Sequence, residues 1–192
     1  LLNLVGVESS LDFDKLIQPG PRQWDKPIVT LGIVDKRKTT FAIDTITVPY
    51  KNPHNAMFFT AGHDFTSNGD CYVATAHGDV WKVAGIDEEL KAVKWHRFAT
   101  GLYQPLGLRV VKDQVYVLGR DQITRLHDHN KDGEADFYEA FNNDIMIGGG
   151  GHSYATCLET DPDGNFYFIP KEIPCLIITY SIPFSSLVFL TF

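Results

Sequence analysis

The 192-residue chain is poor in sulfur and short of positive charge. It holds three cysteines and two methionines. Cys71, Cys157 and Cys175 stand far apart, none in a C-x-x-C pair. That excludes a zinc knuckle and covalent haem attachment. An odd number gives no clean disulfide framework, and Cys71 and Cys157, in or beside apolar runs, read as small buried residues. Lys and Arg number 17 against 24 Asp and Glu, for a formal net charge of −7. Without a basic patch to displace counterions, nucleic acid is excluded as a partner. The chain also lacks G-x-G-x-x-G, the phosphate loop, G-x-S-x-G and H-E-x-x-H. Dinucleotide, triphosphate, serine-hydrolase and zincin readings fall with them. No stretch shows a convincing amphipathic helical period, which removes helical solenoids.

What is present is a body of ordinary globular composition, 44% hydrophobic and 12% aromatic, long enough for one domain with a sizeable core. The chain opens on Leu1 with no basic n-region or cleavage site, and reads as a processed or truncated end. Residues 1–27 read as irregular surface chain, because Pro19, Gly20 and Pro21 forbid a continuous helix or central strand. Trp24 is a candidate anchor against the body.

From Ile28 the pattern is that of strands. Residues 28–35 (IVTLGIVD) and 41–48 (FAIDTITV) are β-branched and partly alternating, with Asp35–Lys38 as the turn between them. Beyond them, NGDCYVATAHGDVWKV, KDQVYVLGRDQITRL and PDGNFYF share one pattern, a polar turn followed by an apolar strand centred on a tyrosine. Tyr72, Tyr116 and Tyr167 are 44 and 51 residues apart, the length of one four-stranded propeller blade. The expected fold is all-β, a partial β-propeller of about three to four antiparallel blades over residues 28–170. Odd ends make it read as a fragment of a larger ring. After Pro174 the composition shifts to CLIITYSIPFSSLVFLTF, with no charge. Residues 171–192 are therefore an atypical apolar tail. Its Pro183, serines and β-branched residues favour a buried strand pair over a membrane-spanning helix.

The acidic turn after Leu126 carries the strongest chemical signal. Asp128, Asn130, Asp132, Gly133, Asp136 and Glu139 fill positions 1, 3, 5, 6, 9 and 12 of a calcium-loop spacing. Asp128, Asn130 and Asp132 would supply side-chain oxygens and Glu134 a backbone carbonyl. Asp136 would bind directly or through water, Glu139 would be bidentate, and Gly133 would allow the sharp turn. The alternative is an Asp/Asn-rich turn held by its own hydrogen bonds. A strand, QITRL, enters the loop where an EF-hand has a helix, which leaves the direction of Glu139 open.

TITVPYKNP (45–53), GHDF (62–65), HGDVWKVAGID (77–87), WHRFATGLYQPLGLRVV (95–111) and GRDQITRLHDHNKDGEADFYEAFNND (119–144) resemble a family of large secreted proteins of planctomycete- and verrucomicrobium-like bacteria. The β-propeller of that family is similar to the pyrroloquinoline-quinone glucose/sorbosone dehydrogenases, and longer members carry a cytochrome c module. The resemblance spans about residues 40–170. It implies a periplasmic or extracellular propeller with an oxidoreductase role on a sugar, alcohol or polysaccharide, and pyrroloquinoline quinone as cofactor. The chain departs from the pattern in having no C-x-x-C-H and in its tail after about Ile169. Two residues are candidates for chemistry. His152, after Gly148–Gly151, has the near-neutral pKa that suits a general base for hydride abstraction. Arg120 could neutralise a developing alkoxide or bind a cofactor carboxylate. A flexible loop bearing a surface histidine and an Arg120-Asp121 pair that merely closes a hairpin are the structural alternatives. A non-catalytic propeller binding glycan or protein, with calcium as a staple, is the alternative for the whole. His63-Asp64 reads as surface loop.

Overall fold

A computed structural model describes residues 13–24, 26–37, 41–145, 154–170, 176–180 and 187–191. Among the described residues the one helix is the single turn α1 (Phe13–Leu16). The rest is antiparallel strand, turn and loop. The first sheet is built from β1 (Ile28–Thr30), β2 (Thr60–Phe65), β3 (Cys71–Thr75), β4 (Val80–Ala84) and β5 (Val93–Ala99), in the order β1-β5-β4-β3-β2. The second holds β6 (Gly107–Val111), β7 (Gln114–Leu118), β8 (Ile123–His127) and β9 (Phe137–Asn142) in chain order. The third holds β10 (Ala155–Thr160), β11 (Phe166–Pro170), β12 (Leu176–Tyr180) and β13 (Leu187–Thr191), also in chain order. The chain is all-β, as its composition and periodicity require. The apolar tail supplies β12 and β13 as an antiparallel pair. Among the described residues no helix is long and apolar enough to cross a membrane.

The sheets stack because their strands are apolar on both faces. Period-two alternation sends Tyr72 and Ala74 of β3 toward the second sheet, where Phe98, Leu108, Val115, Val117 and Leu126 join them. The opposite face sends Cys71, Val73, Trp81, Val83, Val93 and Trp95 into a separate core. Strand β7 divides itself in the same way. Val115 and Val117 face the first sheet, while Tyr116 and Leu118 meet Phe166 and Phe168 of the third. With β1 set aside as an addition at the far edge of the first sheet, the sheets start from β2, β6 and β10 as their first strands, and Tyr72, Tyr116 and Tyr167 each lie on the next strand, so the repeat seen in sequence is the repeat of the sheets.

The first strands of the three sheets pack side by side. A Cβ on Gly62 of β2 would lie 2.2 Å from the Leu108 nitrogen, and one on Gly107 of β6 would lie 2.9 Å from the Leu158 nitrogen. Only glycine permits backbone to approach backbone that closely. Two residues on from each glycine stands a charge, Asp64 and Arg109. Arg109 pairs with Asp64 at 3.5 Å and with Glu159 of β10 on its other side, and Val110 N–H donates to Asp64 at 2.9 Å. Asp64 is therefore strand, not surface loop, because it pairs with the next sheet. Cys157 occupies the third glycine-equivalent position. It is exposed, with φ +60° at a bulge between Thr156 and Glu159. That corrects the expectation that it is buried. Cys71 is buried, and burial pushes its thiol pKa up to about 11.

The expected hairpin over residues 28–48 is reduced to the three residues of β1 on β5 and one bridge, Ile33 to Thr45. The reason is competition for backbone groups. Gly32 N–H donates to the Leu90 carbonyl instead of to the partner strand, and Thr47 Oγ1 caps the Leu31 carbonyl. This ribbon still covers the first sheet, with Ile28, Val34, Ile46 and Val48 packed on its core.

Candidate functional site

The up-and-down order of each sheet gives the stack two ends. One carries the tight turns at 66–70, 112–113, 128–136 and 161–165. The other carries the turns at 76–79 and 119–122 and the β5–β6 loop. Ser67 donates from both its N–H and its hydroxyl to Asp113 at 2.7 Å, tying the first end together. Leu102 N–H to Gly78 and Arg120 N–H to Tyr103 tie the second. Arg120 and Asp128 flank the five residues of β8 at opposite ends, so a strand about 17 Å long at the rise of an extended chain separates their turns. The candidate metal ligands and the candidate catalytic arginine do not share a site.

At the first end, the acidic turn is wound on its own carboxylates. Asp128 accepts the N–H groups of Asp132 at 3.1 Å and Gly133 at 2.9 Å. Asn130 Oδ1 accepts Asp132 N–H, and Asp132 Oδ1 accepts Glu134 N–H. Asp136 Oδ2 accepts His129 N–H at 2.7 Å and Asn130 N–H at 3.3 Å. Gly133 has φ +92°, as the sharp turn requires. Asp128, Asn130, Asp132 and Asp136 are thus gathered on one turn. Glu139 is not with them. It sits on β9 opposite Arg125, its Oε2 2.6 Å from His127 Nε2 and 3.6 Å from Arg125 Nη1. The strand entering the loop turns it away.

Glu134 does something that spacing could not reveal. Its carboxylate is buried and accepts two successive backbone N–H groups, Gln23 and Trp24, each at 2.7 Å. Trp24 then lies under the Arg97 guanidinium, 5.1 Å from the ring centroid. Arg97 in turn holds the buried Asp79 at 2.7 Å. Trp24 is the anchor expected of it. Between this N-terminal segment and the turn lies a cavity of about 440 Å³, lined among others by Ile17, Pro21, His129, Asp132, Asp136 and Phe137. His129, His127 and Phe137 form a three-ring cluster, with centroids 5.3 Å apart for the two histidines and 6.3 and 5.6 Å from Phe137.

At the second end, Arg120 stands between two aromatic rings, Tyr103 at 5.7 Å and Tyr154 at 5.0 Å, and donates to Gln104 Oε1 at 3.1 Å. A planar cation already packed against two rings loses little further freedom on meeting a ligand. His77 occupies the equivalent turn of the first sheet and borders a second cavity of about 580 Å³, whose lining includes Tyr50, Asn55, Met57 and Phe59. Asn52 ties together the loop behind it, donating to the Pro49 and Ala56 carbonyls and accepting from His54 and Ala56 N–H. His152 and Gly148–Gly151 lie outside the described residues. Tyr103, Tyr154 and the Tyr50–Phe59 loop escaped the sequence reading because no motif marks them. The one usable signal was that Arg120 and His77 occupy the same turn of the repeat.

No protein-family model matches the chain, and no curated protein matches it.

Proposed function

We propose that the chain is a section of a β-propeller from an exported sugar- or alcohol-dehydrogenase-like protein. Its ligand meets the end that carries Arg120, and the acidic turn braces the opposite end. The propeller reading rests on successive up-and-down sheets whose first strands lie side by side. One observation carries the division of labour, the placement of Arg120 and Asp128 at opposite ends of β8. A calcium ion on the turn is then a structural ion. Asp128, Asn130, Asp132 and Asp136 would hold it with hard oxygens, while Glu139 stays with His127. The donor chemistry fits calcium, since each of these side chains keeps an oxygen lone pair beyond its turn bonds.

Pyrroloquinoline quinone, when bound, would accept the hydride. Arg120 fits a carboxylate-bearing cofactor, because its fork is held over the Tyr103 and Tyr154 rings and by Gln104. A periplasmic or extracellular location and an electron-accepting cytochrome c module outside this chain belong to the same proposal. The second reading is a non-catalytic propeller that binds glycan or protein, favoured by the cavity beside Tyr50, Phe59 and His77 at the ligand end.

Melting the protein with calcium and with chelator tests the structural part. Chelation should lower the melting temperature, and Asp132→Ala should lower it without added chelator. An unchanged curve in both cases removes calcium. The redox part is tested by adding pyrroloquinoline quinone and a sugar panel and following dye reduction, with Arg120→Met as the variant. No cofactor-dependent absorbance change and no reduction with any sugar leaves the binding reading alone.

A further inference from the structure

We propose that Gln104 is a positioning residue, kept in a strained backbone conformation so that its side chain can hold Arg120 ready for the ligand. This rests on the reading that the ligand meets the Arg120 end. Among the described residues seven other than glycine have positive φ, and Gln104, at +46°, is the one followed by proline. A proline ring pushes the residue before it toward extended backbone with negative φ. Positive φ is uncommon for any residue but glycine.

Such a conformation persists only where its surroundings over-determine it. Here two ties do so. The Tyr103 carbonyl accepts Arg120 N–H at 2.8 Å, and Leu106 N–H donates to the Leu118 carbonyl at 3.0 Å. Both reach the chain that leaves β7, and only Gln104 and Pro105 lie between them. Pro105 keeps its own φ at about −65°, so the change of direction falls on Gln104.

A glycine would take this conformation without strain, as Gly101 does three residues earlier at φ +81°. What glycine lacks is the side chain. Gln104 Oε1 accepts from Arg120 Nη1 at 3.1 Å, beside the Tyr103 and Tyr154 rings over which the guanidinium lies. Packing over rings still lets a guanidinium turn, whereas a hydrogen bond fixes where its N–H groups point. One loop therefore supplies both a ring, Tyr103, and the acceptor, Gln104. A ligand that meets an ordered Arg120 is spared the cost of ordering it.

Two variants of the full chain test it. Gln104→Met keeps the side-chain length and the strain but removes the acceptor, whereas Gln104→Gly removes both. In each, the Arg120 Nε–H resonance, assigned by its loss in Arg120→Met, should report a mobile side chain where wild type has an ordered one. Pyrroloquinoline quinone, followed by its absorbance change, should bind each variant about two- to tenfold more weakly, the cost of re-ordering one long side chain. Gln104→Gly should nevertheless melt above Gln104→Met, because it alone relaxes the backbone. An Arg120 equally ordered in wild type and both variants overturns the proposal. So does a glycine variant that melts no higher than the methionine one, since Gln104 would then hold no strain. Variants that free Arg120 yet bind the quinone like wild type overturn its service to the ligand. A wild-type chain that ignores the quinone sinks the cofactor reading alone, and the Arg120 resonance still decides the positioning.

Discussion

A carboxylate that accepts two consecutive backbone N–H groups can fix a chain segment that forms no sheet of its own. Glu134 does this for Gln23 and Trp24, and Trp24 closes the arrangement by stacking on Arg97. Glu134→Gln would turn an amide NH₂ toward one of the two donors. The expected loss is about 1–3 kcal/mol, the penalty of a buried unsatisfied donor. It should appear as a lower melting temperature together with faster amide exchange at Gln23 and Trp24. Unchanged exchange at those two amides would show that Glu134 does not hold the segment. At this scale the sequence was readable for Asp128, Asn130, Asp132 and Asp136, whose spacing gathers them on one turn. It was not readable for Glu134, because its partners stand 110 and 111 residues away. Nor could spacing decide Glu139. Pairing of β9 with β8 sets it opposite Arg125.

At the scale of elements, strands β3, β4 and β6 to β8 declare themselves by alternation and by the turns between them. The β6–β7 hairpin is less explicit. Lys112 and Asp113 both take positive φ, at 51° and 60°, where a two-residue hairpin favours Asn-Gly. The Asp113 carboxylate takes two bonds from Ser67 of the first sheet, and these depress its pKa. A contact between sheets thus supports a turn that local propensity does not favour. The same scale explains Gly62 and Gly107, which look like weak points in strands until the neighbouring sheet is present. Gly107→Ala should push β6 from β10 and cost about 1–3 kcal/mol, as overpacking does. Urea titration would read this as a lower midpoint at unchanged slope. A neutral midpoint would mean that the first strands are not held in backbone contact.

At the scale of the molecule, the stack should unfold as one unit. β7 contributes Val115 and Val117 to one core and Tyr116 and Leu118 to the next, so neither core survives loss of the middle sheet. All three tryptophans, Trp24, Trp81 and Trp95, report on the first sheet, whereas far-ultraviolet circular dichroism reports on every strand. The two transitions should coincide in urea. A tryptophan transition displaced from the circular-dichroism transition would show that the first sheet unfolds separately.

The sequence by itself determined the all-β class, the repeat marked by Tyr72, Tyr116 and Tyr167, and the acidic turn, because these rest on periodicity and on neighbours a few residues apart. Only the tertiary structure decided that Arg120 and the turn stand at opposite ends, that Glu139 leaves the turn, and that Gly62, Gly107 and Cys157 are one recurring position. The tertiary structure also reduced the 28–48 hairpin to a ribbon, when Leu90 and Thr47 took up its backbone groups. Each of these depends on which strand lies beside which. Strand pairing joins residues dozens of positions apart through backbone groups that every residue carries, so side-chain sequence alone leaves it open.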